Sequence, residues 1–133
     1  DQCGSRGLGD VYKRQVMLTH AKSGRCSIEQ VAQWMSTNVA DCFNMIGKGQ
    51  IEVGFDADLV LVDMETVQQV KDENMWARVG WNPFNGHDLV GWAKVTIVAG
   101  VPVFERTEAT GPKGRILVEK GTCGSPILMG PWK

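Results

Sequence analysis

Asp56, Asp58 and Asp63 flank the apolar run Leu59-Val-Leu-Val62, and carboxylates held in pairs can exchange a proton with a substrate. Their spacing is instead that of turn residues at the two ends of one strand, which suits capping better than acid–base work. His20 and His87 are the only histidines, far apart and each without a nearby Cys, so a complete metal site is hard to assemble from them. His20 follows Thr19 at an expected helix end. His87 sits in the polar turn Asn85-Gly-His-Asp88, where exposure is expected. Gly47-Lys48-Gly49 lacks the spaced glycines and the Ser or Thr after Lys that a phosphate-binding loop needs, and a strand is expected after it. Trp76, Trp81 and Phe84 offer faces on which a base or sugar can stack. No basic cluster accompanies them, and packing against another part of a larger protein fits better. Neither a Ser–His–Asp nor a Cys–His arrangement can be built. On residues alone, the chain has no catalytic residue, no substrate-binding residue and no metal ligand.

Cys3, Cys26, Cys42 and Cys123 are scattered, with no pair at chelating spacing, and read as free thiols of a reducing compartment. The 133 residues are about the size of one ordinary domain, far short of a large enzyme barrel. Lys plus Arg is 14 and Asp plus Glu is 15, a balance that leaves no footprint for nucleic acid or an acidic membrane. Hydrophobic residues at 43% and charged ones at 22% suit a soluble globular protein. No apolar run approaches the roughly 18 residues of a membrane span.

Residues 1–15 carry three glycines and no period, so an irregular leader is expected there. The run Asp10-Val-Tyr-Lys-Arg-Gln15 is similar to translated adaptor sequence, which would make the leader non-native and start the coding sequence near Val16; an ordinary flexible linker is the alternative. Val16–Ala21 reads as a helix end and Lys22-Ser-Gly-Arg25 as a turn. Ser27 with Gln30 forms a capping box, and Ile28, Val31, Ala32, Met35, Val39 and Cys42 trace an apolar stripe at helical steps. Ser36-Thr-Asn38 favours caps over helix interiors, which splits the segment into helices over 28–36 and 39–45. From Gln50 the period turns extended. Ile51 and Val53 alternate, Leu59–Val62 fits a buried strand, and Val67–Val70 a weak one. Residues 71–90 form a long irregular connection packed on a surface through its aromatics. Strands over 91–98 and 101–105 flank the hairpin signal Ala99-Gly100, and Ile116–Val118 is a further candidate strand.

The series Ser27-Ile-Glu-Gln-Val31, Ser36-Thr-Asn-Val-Ala40, Gly49-Gln-Ile-Glu-Val-Gly54 and Asp56-Ala-Asp-Leu-Val-Leu-Val-Asp63 resembles the amidohydrolase superfamily just after its last barrel strand. Trp81-Asn-Pro-Phe-Asn-Gly86, Leu89-Val-Gly91, Thr96-Ile-Val-Ala-Gly100 and Val103 narrow the resemblance to dihydroorotases of the long, bacterial-type cyclic amidohydrolase group. The resemblance covers about residues 16–105. Allantoinases, dihydropyrimidinases and hydantoinases share much of the pattern, so the substrate rests chiefly on the Pro83-Phe84 loop. Relatives usually carry Pro where Val39 stands, a change that keeps the helix possible.

The resemblance implies an α+β fragment: the last helices of a (β/α)8 barrel at residues 16–46, then part of a small composite β-sandwich at 47–106, then an irregular tail at 107–133 with one possible strand. It implies zinc and a carboxylated Lys in the full-length parent, held by groups upstream of Val16 that match no position here. In such a parent, zinc lowers the pKa of a bridging water, and an Asp passes its proton to the leaving amide nitrogen as dihydroorotate and carbamoyl-aspartate interconvert. It further implies a cytoplasmic hydrolase of pyrimidine synthesis acting on a small molecule, with a homo-oligomer or aspartate transcarbamoylase as possible partners. The isolated chain is expected to be inactive and without zinc. It should leave strand edges and apolar faces uncovered where barrel and N-terminal strands are missing. A non-catalytic relative acting as a scaffold is the reading from another class.

Overall fold

The computed structural model describes residues 12–75, 80–118 and 127–131. Helix α1, Lys13–Lys22, starts inside the stretch expected to be an irregular leader. Tyr12, directly before it, is buried, and its ring meets Trp92 edge-on at a centroid distance of 5.6 Å. An aromatic side chain sealed in the core fixes the chain there, so residues 12–15 are part of the fold; the rest of the expected leader lies outside the described residues.

Ser27 opens the next helix as its residue type predicts. Its hydroxyl accepts from the Gln30 backbone N–H at 3.2 Å, while the Ser27 N–H donates to Gln30 Oε1 at 2.8 Å. The expected break at Ser36-Thr-Asn38 does not occur. Helix α2, Ile28–Ala32, widens into a π turn at Gln33–Thr37 and continues as α3, Asn38–Cys42. A π turn holds more residues than an α turn, so the inward positions run Val31, Met35, Ala40, with a step of five across the turn. Ile28, Ala32, Val39 and Cys42, placed on the buried stripe by α-helical spacing, are exposed instead.

The strands make an antiparallel sheet in the order β1-β4-β5-β6: β1 is Leu59–Asp63, β4 Trp92–Val98, β5 Val101–Glu105 and β6 Arg115–Ile116. A separate pair joins β2, Gln68–Gln69, to β3, Asp88–Leu89. Ala99 and Gly100 both take positive φ, 49° and 79°, which the hairpin between β4 and β5 requires. β1 forms where expected, but at the sheet edge, and Leu61 is 52% exposed. Among the described residues β4 is its only neighbour, so the apolar run is not the buried strand its composition predicts. No strand forms at Ile51 and Val53, which are 89% and 102% exposed. Phe55 N–H closes a turn on Glu52 O, and Asp56 N–H returns to Gly47 O at 2.9 Å, leaving the segment with no strand to pair with.

The core gathers Tyr12, Val70, Met75, Leu89 and Trp92, with Val16 and Phe84 packed against it. The connection over 71–90 is ordered by a polar knot. Asn82, 5% exposed, donates from both its backbone N–H and Nδ2 to Asp72 Oδ1 (2.9 and 2.7 Å), and its Oδ1 accepts the Phe84 N–H. Phe84 packs against this chain's own core rather than against another part of a larger protein, Trp81 is exposed, and Trp76 lies outside the described residues. The tail returns to the helical segment: Met129 bridges Met45, and Ile46 N–H donates to Leu128 O at 2.9 Å.

Candidate functional site

The three aspartates do not form a carboxylate pair. Asp56 and Asp58 hold Lys48 between them; Lys48 Nζ lies 2.9 Å from Asp56 Oδ2 and also bonds Asp58 Oδ2. Asp58 Oδ1 accepts the Ala99 N–H at 2.8 Å, tying the start of β1 to the hairpin turn. The Lys48 ammonium, then the Ala99 amide, hold the Asp58 carboxyl below its ordinary range, and Asp58 followed by Asp56 raises Lys48. At the far end of β1, Asp63 caps a turn. Its carboxylate accepts from the N–H groups of Glu65 and Thr66 at 2.9 and 3.1 Å, from the Thr66 hydroxyl at 2.9 Å, and pairs with Lys94 at 3.2 Å. Those donors, the backbone N–H of Thr66 foremost, keep Asp63 ionised far below the usual carboxylate range. Groups pinned as anions with all partners internal hold turns; they are poor proton carriers at neutral pH.

The histidines stay apart. Half-buried His20 shares a 3.3 Å contact with Arg25 through Nδ1, and exposed His87 meets Phe84 edge-on at 6.1 Å. Cys26 is half-buried and Cys42 exposed, both as free thiols; Cys3 and Cys123 lie outside the described residues. Among the described residues no three His, Cys, Asp or Glu side chains converge, so this part of the chain offers no donor set fit for zinc.

Two concavities stand out among the described residues. The larger of the two, about 780 Å³, runs between the α2–π turn wall (Ile28, Val31, Met35) and β1 (Leu59, Val60), and Lys48 also lines it. Its walls are apolar and open, the form of a docking groove rather than a catalytic pocket. The smaller, about 380 Å³, lies beside the outer end of β4 and is lined by Trp92, Lys94, Arg106 and Asp63.

Comparison with known proteins decides what this arrangement is part of. The profile of the "Amidohydrolase family" matches residues 2–103. The chain belongs to the amidohydrolase family. The match begins within the stretch expected to be a leader, and a dihydroorotase of Pyrococcus horikoshii is 34% identical over 92% of the chain. A dihydroorotase of Pediococcus pentosaceus is 36% identical over 64% of the chain. The amidohydrolase chain described here spans only 20% of the Pediococcus protein and 30% of the Pyrococcus protein. Among solved structures, L-hydantoinase (dihydropyrimidinase) from Arthrobacter aurescens overlays 79% of the chain and 22% of its own length, with a TM-score of 0.70 and 32% identity. A D-hydantoinase overlays 70% with a TM-score of 0.66 and 27% identity. Among the described residues no helix is long and apolar enough to cross a membrane.

Proposed function

We propose that the chain is the C-terminal portion of a dihydroorotase-type cyclic amidohydrolase, a cytoplasmic zinc enzyme of pyrimidine synthesis that opens and closes the dihydroorotate ring. The observation that carries this reading is the recurrence of dihydroorotases among relatives 30–37% identical to it. In this assignment α1–α3 are the last helices of the parent's barrel and β1, β4, β5 and β6 are part of its β-sandwich. The exposed apolar side chains support that placement. Ile28, Trp34 and Phe43 on the helical segment, with Val60 and Leu61 on β1, are surfaces that the missing barrel and N-terminal strands would cover. Zinc and its carboxylated Lys belong to the missing portion, since the donors described here do not fit the metal. This chain's own residues then serve the reaction only by closing the barrel and bracing it. Homo-oligomerisation or docking on aspartate transcarbamoylase belongs to the whole parent.

The experiment is to read the DNA contiguous with this gene upstream of Asp1, then to express the complete frame. A barrel with a His-x-His pair, a Lys, two His and an Asp, turning over dihydroorotate, supports the proposal. Preference for hydantoin or dihydropyrimidine rings favours the second reading, to which the two hydantoinase overlays point. A barrel lacking the metal ligands, or no barrel at all, removes the enzyme and leaves a scaffold. The 133-residue chain alone is expected to give neither turnover nor stoichiometric zinc by elemental analysis.

A further inference from the structure

Asn85 and Gly86 sit in the turn that leads from the 71–90 connection into β3, and both are exposed. Of the five asparagines in the chain, Asn85 alone precedes a glycine. Asn38, Asn44 and Asn74 precede Val or Met, and Asn82 precedes a proline, which has no N–H. At an Asn-Gly step the following amide nitrogen can close a succinimide ring on the asparagine side-chain carbonyl, and glycine has no side chain to shield that nitrogen. The reaction needs both groups free and brought within attacking distance of each other.

The fold directs them apart. Gly86 N–H donates to Val70 O at 2.8 Å, and Val70 is fully buried in the core. Asn85 Oδ1 accepts the Asp72 N–H at 3.2 Å, which turns its side chain toward the other end of the connection. The same register is braced by Val70 N–H on His87 O at 2.8 Å and by Gln69 Nε2 on Gly86 O at 3.2 Å. We propose that Asn85-Gly86 is a latent deamidation site, held unreactive by the bonds to Val70 and Asp72 and converted by water when the connection opens. In the open state the Gly86 nitrogen gives up its proton and attacks Asn85 Cγ. A C–N bond forms, the Cγ–Nδ2 bond breaks, and the amide nitrogen leaves as ammonia with the proton released. Water then opens the succinimide at either carbonyl, leaving an aspartate or an isoaspartate at position 85; nothing is oxidised or reduced. Isoaspartate lengthens the main chain by one carbon and shifts the Gly86 N–H off Val70 O, so the product holds open the turn whose opening produced it. The site uses only residues of this chain and is independent of the ring-opening activity.

The test incubates the 133-residue chain at mildly alkaline pH, with and without guanidinium chloride, and follows position 85 by peptide mass spectrometry, the two products being separated by retention. Conversion in buffer is expected to be at least ~10-fold slower than in denaturant, the least that an opening which breaks both hydrogen bonds should impose. Asn85→Gln should abolish the product and so assigns the signal. Asn82→Ala, which leaves the Phe84 N–H without its acceptor, should quicken both hydrogen exchange at the Gly86 amide and conversion by ~3- to 10-fold. Equal conversion with and without denaturant overturns the protection. Faster exchange at Gly86 in Asn82→Ala with unchanged conversion overturns the route through opening.

Discussion

Replacing Gly91 by Ala should be among the most damaging single-methyl changes in the chain. Gly91 holds φ at +75°, and a Cβ there would lie 2.5 Å from Leu18 Cδ1 and 2.6 Å from Leu18 Cβ. Ordinary carbon contacts are about 3.5–4.0 Å, so the overlap is close to 1 Å. A rotamer change can move Cδ1, but Leu18 Cβ is fixed by α1, and Leu18 is 4% exposed, with no free space to retreat into. Left-handed backbone costs an Ala about 1–2 kcal/mol and overpacking about 1–3, while the stiffer unfolded chain returns about 0.4–1, for a net loss of about 2–4 kcal/mol. Gly100→Ala isolates the backbone share, because φ there is +79° and nothing lies within 4 Å. It should cost about 1 kcal/mol. The pair would be compared by urea unfolding followed by circular dichroism, together with Leu18→Ala and the double variant. Leu18→Ala removes the Cγ and Cδ1 contacts but keeps Cβ at 2.6 Å, so the double variant should recover only part of the overpacking cost, about 0.5–1 kcal/mol relative to the sum of the singles. Equal costs for Gly91→Ala and Gly100→Ala, or strict additivity with Leu18→Ala, would refute the steric account of how α1 seats against the link between β3 and β4.

Ser27→Ala removes one half of the capping box and should lower stability by about 1 kcal/mol in the same unfolding assay; a change under a few tenths would mean that α2 does not depend on its cap. Asn82→Ala should cost about 1–3 kcal/mol, since it strips Asp72 of the Nδ2 donor and the Phe84 N–H of its acceptor, and hydrogen exchange at Phe84 should quicken with it. For Asp63 the folded pKa is depressed, so its stabilising share is complete above the ordinary carboxylate pKa of about 4 and fades as pH falls from there toward its lowered value. Asp63→Asn should therefore flatten the acid limb of the stability profile, and identical limbs in the two proteins would contradict the role of this turn.

Local signals were readable wherever neighbouring residues decide the outcome. Ser27 with Gln30 specified a helix start, and Ala99-Gly100 a hairpin, because capping and left-handed turns are settled within four residues. Tertiary decisions were not readable in this way. Ile51 and Val53 alternate like a strand but have nothing beside them to pair with, and β1 has the composition of an interior strand while lying at an edge. The stripe failed at Val39 and Cys42 because α-helical spacing was carried across a π turn, whereas Ile28 and Ala32, before that turn, are exposed on a face that nothing among the described residues covers. The knot at Asn82 and the stacked Arg106 join residues ten or more positions apart, and no short pattern announces either one. The family itself was legible, since its signature is a series of ordered short motifs and does not depend on the packing around them.

The wider turn at Gln33–Thr37 has a mechanical meaning beyond its effect on the stripe. Thr37 Oγ1 donates to Gly49 O at 2.9 Å, and a Cβ on Gly49 would stand 2.5 Å from Ala40 Cβ, so the far half of the helix is gripped from outside. Near its start the helix is anchored by the Ser27 cap and buried Val31. With both ends clamped, a surplus residue can be absorbed between them as slack, without turning either end about the axis. Such a helix can gain or lose one residue over evolutionary time while the loop it supports keeps its place.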